Sequence, residues 1–386
     1  MNLRIIIKLM DNLAANYIAF CYSSSNQIKV AFLLELILTA VSYYSLEMLD
    51  SASAEPPLES QYLHIKHSYS FLPTDQSNCQ AASSPAVEVE FEVQLPVIDL
   101  EAPEAAIAIR EASSKWGFFQ VVSHGISGDL LQRMRKEQVK LFSKPFEKKS
   151  NSGLLGNSYR WGSIGGHCAA NFSWNEAFHV PLNEISNPTF YGEMITLREV
   201  MMEFSMAMSK LARSLIEILR DDQIQDSNQW PTPLNCDDKT CFLRLNRYPS
   251  CPISDDMLGL VPHTDSDILT ILYQDEVGGL QLLRDSKWVT VRPNLDTLIV
   301  NIGDLLQALS NDRYKSIEHR VVANQELERY SIAYFLCPSL DSVISSGRQA
   351  PVYRDFTFGE YRAQVRRDVN MTGQKVGLPR FRVAQD

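Results

Sequence analysis

The chain lacks any Cys-x-x-Cys pair, and its seven cysteines (Cys21, Cys79, Cys168, Cys236, Cys241, Cys251 and Cys337) are odd in number and scattered. That excludes a zinc knuckle and a disulfide framework, and it fits a reducing, cytoplasmic setting. Positive charge is in deficit as well: 36 Lys and Arg stand against 46 Asp and Glu, a net charge of −10. Nucleic acid and an anionic membrane are therefore poor partners. Long apolar runs are missing too. Residues 28–46 are mostly apolar, but Lys29 and Glu35 interrupt them and leave an uncharged run of only eleven residues from Leu36. A membrane span needs roughly twenty. A signal peptide would carry its apolar core nearer the terminus, with small residues at a cleavage site after it. The first fifty residues thus read as a dispensable extension rather than an anchor. Residues 51–89, rich in Ser, Pro and Gln, read as a poorly ordered lead-in. Histidine is the last scarcity, with seven in 386 residues. A site that needs imidazoles has few places to find them.

Against these absences stands an ordinary globular composition, 45% hydrophobic and 21% charged, over a length that can bury a large core. Order is expected from Phe91-Glu-Val-Gln-Leu-Pro-Val-Ile-Asp-Leu100, a strand signal, followed by a short helix with Ala106, Ile109 and Ala112 on one face. Residues 116–125 read as a second strand ending in a Gly turn. Ser127 can cap the next helix, whose Leu130, Leu131, Met134 and Leu141 keep helical spacing, and Pro145 ends it. Residues 151–179 read as a Gly- and Asn-rich connection carrying Tyr159, Arg160, Trp161, Trp174 and Phe178, whose aromatics either line a pocket or pin the loop. The longest helix is expected over 191–220. There Leu197, Val200, Phe204, Met208, Leu211, Leu215 and Leu219 recur at steps of three and four, a core-facing stripe.

After a Pro-rich break at 230–234 the texture changes. Short beta-rich runs alternate with turns at 242–245, 268–273, 279–283, 288–291, 298–302, 319–322 and 330–336. That spacing suits a sandwich or barrel of the jelly-roll kind. Thr357-Phe-Gly-Glu360 is a capping box that opens a last helix, with Tyr361, Val365 and Val369 on one side. The expected organisation is an α+β chain in four parts: an extension over 1–90, a helical N-terminal domain over 91–235, a jelly-roll domain over 236–340 and a C-terminal helical segment over 341–386.

Chemistry concentrates in Val261-Pro-His-Thr-Asp265. Apolar and β-branched neighbours mark the end of a strand, where side chains at i and i+2 share a face. His263 and Asp265 can then reach one point, and an imidazole with a carboxylate supplies two of the three ligands of the facial triad of non-haem Fe(II) oxygenases. Such triplets also arise by chance, so a third ligand decides the matter. His64 and His67 lie in the lead-in, His124 at a turn and His167 in a Gly-rich loop, while His179 follows an aromatic run and reads as a core residue. His319, in Ser316-Ile-Glu-His-Arg-Val321, opens a strand and is the natural partner. Asp267 is a rival to Asp265, one pleat further along and past the strand end. Ten residues beyond His319, Arg329 and Ser331 share a strand face. A guanidinium fork beside a hydroxyl suits a single carboxylate. Upstream, Asn246 and Tyr248 offer an amide and a phenol on one face.

In this order, within one beta-rich region, these residues resemble the plant Fe(II)- and 2-oxoglutarate-dependent dioxygenases. Leu95-Pro-Val-Ile-Asp-Leu100, Trp116-Gly-Phe-Phe119 and His124-Gly125 are similar to that family's N-terminal helical domain, and Leu243-Arg-Leu-Asn-Arg-Tyr-Pro249 to its catalytic half. More narrowly, Ser158-Tyr-Arg-Trp-Gly162, Glu176-Ala-Phe-His179, Gly259-Leu-Val-Pro-His-Thr-Asp265 and Lys375-Val-Gly-Leu-Pro-Arg380 resemble gibberellin 2-oxidases, in the branch acting on twenty-carbon gibberellins.

The resemblance implies a distorted double-stranded β-helix, or jelly-roll, with Fe(II) held in its mouth by His263, Asp265 and His319. It implies 2-oxoglutarate on Arg329 and Ser331, with Tyr248 and Asn246 in contact, and it counts Arg329 among the catalytic residues. Dioxygen would be the second cosubstrate and ascorbate a supporting reductant. The substrate would be a small diterpenoid and the product a 2β-hydroxylated, deactivated gibberellin. The triad does not by itself distinguish this from a sister dioxygenase acting on a flavonoid or another plant metabolite. A non-catalytic jelly-roll binding protein would be expected to have lost part of the metal set, which here is whole.

Overall fold

The computed structural model describes residues 53–69, 89–151, 153–162, 172–220, 236–254 and 256–384. The apolar segment at 28–46, the Gly-rich loop with His167 and the Pro-rich break at 230–234 lie outside the described residues. Residues 54–386 make one compact unit.

Helix α1 (Leu58–Tyr69) falls within the stretch expected to be poorly ordered. Leu58 and Ile65, two turns apart on one face, are buried with Phe172, Trp174, Cys251 and Met257. Composition alone missed this because so narrow a stripe gains its order from tertiary contact rather than from helix propensity. His64 and His67 are exposed on this helix. The single strand expected over 91–100 is in fact two, β1 (Val89–Val93) and β2 (Val97–Asp99), which join different sheets. Pro96, with no N–H to give a ladder, stands at the break.

Helix α2 (Ala105–Lys115) and strand β3 (Phe118–Val122) lead to α3 (Gly128–Phe142), where the Ser127 hydroxyl accepts from the Leu130 N–H at 3.2 Å as a helix cap. After α4 (Phe146–Asn151), strands β4 (Tyr159–Trp161) and β5 (Glu176–Pro181) stand within what reads as a loop. They pair with each other, and β5 pairs with β6 (Phe242–Tyr248). Turn-forming residues around two short strands hid them. A short α5 (Leu182–Ile185) precedes α6 (Ile195–Arg220), which buries the whole expected stripe from Leu197 to Leu219. Each large apolar side chain so buried contributes about 1.5–3 kcal/mol.

The remaining strands are β7 (Leu258–His263), β8 (Leu269–Gln274), β9 (Leu280–Arg284), β10 (Lys287–Val291), β11 (Leu298–Ile302), β12 (His319–Val322) and β13 (Arg329–Leu336). Helix α7 (Asp304–Leu309) follows β11. The small pair β14 (Val343–Ile344) and β15 (Phe356–Thr357) precedes α8 (Phe358–Thr372). On α8 Tyr361 is buried as expected, but Val369 is exposed, and Asp368 takes the inward place with Arg380 Nη2 at 3.0 Å.

Two sheets result, an eight-stranded one in the order β2-β3-β11-β8-β13-β6-β5-β4 and a five-stranded one in the order β1-β10-β9-β12-β7. This is the expected jelly-roll within an α+β fold. Strands from 91–235 and from 236–340 share the larger sheet, β3 beside β11 and β5 beside β6.

The period-two rule assigns its two faces. Leu243 and Leu245, Leu269, Ile271 and Tyr273, Leu298 and Val300, and Ile332 and Tyr334 turn outward into one apolar core with the stripe of α6. Their neighbours Arg244, Asn246, Thr270, Leu272, Asn301, Ser331 and Ala333 turn inward and line a cavity of about 270 Å³, whose other wall includes Leu260, Leu280 and Val321 of the smaller sheet. Both faces of these strands are covered. That is why β11 reads as a nearly continuous apolar run while its one polar residue, Asn301, marks the inside.

Candidate active site

Strands β7 and β12 run antiparallel with His319 directly opposite His263, and the two rings lie 4.3 Å apart. Each imidazole is tied at Nδ1 to the carbonyl two residues before it, His263 to Val261 at 2.9 Å and His319 to Ile317 at 3.0 Å. A carbonyl only accepts, so Nδ1 carries the proton in both rings and each Nε2 keeps its lone pair. Burial, and then the neighbouring His319, push the His263 imidazole well below its ordinary range, so it is uncharged at neutral pH.

Asp265 lies beyond the end of β7, so the strand pleat does not aim its carboxylate. Hydrogen bonds do: the Thr270 hydroxyl and the Asn301 amide both donate to Oδ2 at 2.7 Å. Oδ1 is left 3.7 Å from His263 Nε2 and 3.9 Å from His319 Nε2. One donor atom from each residue thus falls within 4.8 Å of the others. Burial raises the Asp265 carboxyl, but the two imidazoles and these two hydrogen bonds outweigh it and hold the group below its ordinary range.

Asp267, the rival, is buried on the other side of Thr270, whose hydroxyl lies 2.8 Å from its Oδ2. Burial and the Asp265 charge push Asp267 well up. The Thr270 hydroxyl has one proton for two carboxyl oxygens. The upward shift of Asp267 favours a proton on that carboxyl and leaves the Thr270 hydroxyl to Asp265. Gly303 makes this packing possible, since a Cβ there would lie 2.1 Å from Asp267 Oδ1 and 2.2 Å from its carbonyl.

At the other end of the cavity, Arg329 of β13 pairs with Tyr248 of β6, and Ser331 with Asn246. All four side chains therefore face inward together, as their spacing predicts. The guanidinium is only 2% exposed and lies over the Tyr248 ring at 4.9 Å. Its Nη2 donates to Gln274 Oε1 at 2.7 Å, while Nε and Nη1 have no hydrogen-bond partner among the described residues. Asn246 Nδ2 donates to the Ser331 hydroxyl at 3.3 Å. A buried cation with unused N–H groups is costly unless an anion meets it. The site therefore fits the carboxylate of a chelating cosubstrate, and the two-imidazole, one-carboxylate set fits the facial triad that holds Fe(II).

A third part of the cavity is aromatic. Phe242 stacks on Phe335 at 4.3 Å and His179 on Phe242 at 3.9 Å. The expectation of a core role for His179 is corrected here, because it lines the cavity. Burial, then Arg244, Arg362 and Arg160, push it down to about 4 and keep it neutral. Sequence reading missed Thr270, Asn301, Gln274 and Arg244. For Thr270, Gln274 and Asn301 the signal was a polar residue at an inward position of a mainly apolar strand.

A jelly-roll that carries this donor set and an unsatisfied buried guanidinium in one cavity defines a non-haem Fe(II), 2-oxoglutarate-dependent oxygenase. Residues 239–338 match the 2OG-Fe(II) oxygenase superfamily, and residues 95–195 match the family described as non-haem dioxygenase in morphine synthesis N-terminal. Gibberellin 2-beta-dioxygenase 6 of Oryza sativa subsp. japonica is 46% identical over 349 residues, covering 85% of this chain and 96% of that protein. Gibberellin 2-beta-dioxygenase 8 of Arabidopsis thaliana is 46% identical over 338 residues, 85% and 98% of the two chains. Jasmonate-induced oxygenase 4 of Arabidopsis thaliana is 33% identical over 335 residues, 82% and 91%. Among solved structures, JOX2 in complex with 2OG, Fe and JA superposes with a TM-score of 0.60 at 31% identity, covering 81% of this chain and 94% of that one. The chain belongs to the 2OG-Fe(II) oxygenase superfamily and is a dioxygenase. Among the described residues, no helix is long and apolar enough to cross a membrane.

Proposed function

We propose that this protein hydroxylates a gibberellin at its 2β position and so deactivates the hormone. In this reading His263, Asp265 and His319 hold Fe(II), and Arg329 and Ser331 hold 2-oxoglutarate, with Tyr248 and Asn246 beside it. The observation that carries the reading is the 46% identity to two gibberellin 2-beta-dioxygenases over 85% of the chain. When bound, Fe(II) and 2-oxoglutarate would supply the oxidising chemistry, in which the cosubstrate loses carbon dioxide and becomes succinate, taking one atom of dioxygen, while the other enters a C–H bond.

The protein's own residues do the positioning. The Nδ1 hydrogen bonds keep two imidazole lone pairs available, and Thr270 with Asn301 turns one carboxylate oxygen toward them. Arg329 offers Nε and Nη1, which have no partner among the described residues, to a carboxylate in a buried setting, where a charge-assisted pair is strong. Phe118, Leu260, Leu272, Leu280 and Val321 keep the cavity apolar and disfavour bulk water. Phe242 and Phe335 suit the hydrocarbon body of a diterpenoid, and Arg244 beside them suits an acidic group on it. The scattered cysteines support a cytoplasmic setting.

The similarity to JOX2, solved in complex with 2OG, Fe and JA, favours a second reading, in which the substrate is another small carboxylic acid. The test is anaerobic reconstitution with Fe(II) and 2-oxoglutarate, then oxygen, against gibberellins, a jasmonate and a flavanone. The expected result is succinate release coupled to a hydroxylated gibberellin. Coupling to the jasmonate or the flavanone, with none to any gibberellin, would overturn the substrate.

A further inference from the structure

The metal-binding turn is held from behind by residues the reading above does not use. Asp304, at the start of α7, is buried, and its N–H donates to the Asp265 carbonyl at 2.9 Å. Its Oδ2 accepts from three groups: the Tyr361 hydroxyl of α8, Lys375 Nζ at 2.7 Å and the Thr264 hydroxyl at 3.1 Å. Lys375 Nζ also donates to the Thr264 carbonyl at 2.8 Å. Residue 264, which separates two of the three donor residues, is thus gripped at its hydroxyl and its carbonyl, and the next carbonyl is fixed as well. Gly377 closes the cluster with φ +71, and a Cβ there would lie 3.2 Å from the Tyr361 hydroxyl and 3.3 Å from Asp304 Oδ2.

We infer that Lys375 and Tyr361 are positioning residues of the metal centre, acting through Asp304 on the 263–265 turn. A lysine cation near a metal site repels the ion. Here the Asp304 carboxylate offsets that charge, and the return is a turn that holds His263 and Asp265 in a fixed relation before metal arrives. Groups of this kind, one shell behind the ligands, commonly set metal affinity by about 10- to 100-fold. The C-terminal segment 375–380, which stood out in the sequence, thereby acquires a role at the active site. The inference rests on the reading of His263, Asp265 and His319 as the metal ligands.

The test is anaerobic titration of the full-length apoprotein with Fe(II) by calorimetry, and with Co(II) by its visible absorption, alongside thermal melting of the apoprotein. His263→Ala is the reference for the ligand reading. If it binds metal as tightly as wild type, that reading fails, whatever the other variants do. Lys149→Met is the reference for a buried lysine lost elsewhere, since Lys149 pairs with Glu176. Lys375→Met is expected to weaken Fe(II) binding at least about tenfold and to alter the Co(II) spectrum. Lys149→Met should lower the melting temperature with affinity unchanged. In an Asp304→Asn background Lys375→Met should add little, because its effect passes through the carboxylate. Should Lys375→Met fail to fold, Tyr361→Phe decides by the same titration. Unchanged affinity and spectrum in the folded variants, with only a lower melting temperature, would make the cluster a fastening of the C-terminal segment and overturn the inference.

Discussion

The eight-stranded sheet has buried charge on both faces around β6, and the two sets of buried groups are treated differently. On the outward face Arg247 meets Glu176, which accepts from Arg247 Nη1 at 2.8 Å, from Lys149 Nζ at 2.5 Å and from the Tyr159 hydroxyl. Lys149 gives its other two protons to the carbonyls of Phe142 at 2.9 Å and Ala54 at 2.5 Å. Arg247 also pairs with Glu55 and Glu328. Every proton of the lysine is used and both oxygens of Glu176 are occupied. On the inward face, Arg329 beside Tyr248 keeps Nε and Nη1 unpaired among the described residues, and two imidazoles keep open lone pairs. Buried charges that satisfy one another specify a fold, and buried charges left wanting specify a ligand. If that contrast is right, inward substitutions should cost catalysis and outward ones stability.

The sharpest way to break the contrast is at the metal end. His263→Ala should lower turnover by at least about a thousandfold, since a metal supplies several kcal/mol of transition-state stabilisation. Melting of the apoprotein should change little, because the imidazole makes a single hydrogen bond, to the Val261 carbonyl. Succinate release in a single turnover, with a melting curve beside it, checks both halves. Turnover within tenfold of wild type would remove His263 from the centre.

Next in size is the cosubstrate end. Arg329→Lys keeps the charge but not the fork, and loss of a charge-assisted hydrogen bond costs about 1.5–3 kcal/mol. The KM for 2-oxoglutarate should therefore rise roughly tenfold to a hundredfold, while kcat at saturation changes less. Steady-state rates over a range of 2-oxoglutarate read this directly. An unchanged KM would mean that the free N–H groups have another purpose.

A smaller effect is expected behind the carboxylate. Asn301→Ala removes one of the two donors to Asp265 Oδ2 and should weaken Fe(II) binding about tenfold. Anaerobic titration measures it, and wild-type affinity would show that Thr270 alone suffices to aim Asp265.

These predictions also mark what the sequence could and could not say. Period-two spacing placed Arg329, Ser331, Asn246 and Tyr248 on one face, because alternation along a strand is local and strand pairing then brings the two pairs together. His319 was legible because histidine is scarce and a single strand in the right region carried one. The same local rule failed for Asp265, whose aim comes from Thr270 and Asn301, the latter 36 residues away. It failed for His179 too, since a stacked imidazole lining a cavity and a packed core imidazole look alike in sequence. Helix α1 was missed because its apolar stripe is two residues wide. Contacts distant along the chain leave little trace in local pattern, and the site is made largely of them.

The outward cluster gives the smallest catalytic effect and the complementary test. Glu176→Gln keeps the shape and removes the carboxylate charge that Lys149 and Arg247 share. Removing one partner of a buried ion pair costs about 3–5 kcal/mol, because it leaves a charge uncompensated. At a temperature where the variant stays folded, kcat and the KM for 2-oxoglutarate should remain within about twofold of wild type, since the lost group faces away from the cavity. The loss should also depend on pH. Burial already lowers the Lys149 pKa, with Glu176 opposing that shift, so removing Glu176 lowers it further. Between that depressed value and the ordinary lysine range the unfolded chain binds more protons than the folded one, so stability of the variant should rise with pH. It should rise more steeply than in wild type, because a neutral amine no longer needs a counter-charge. Denaturant melts across neutral to alkaline pH would show this. If Glu176→Gln instead reduced turnover as far as Arg329→Lys at an equal folded fraction, the two faces of the eight-stranded sheet would not be separable into fold and function.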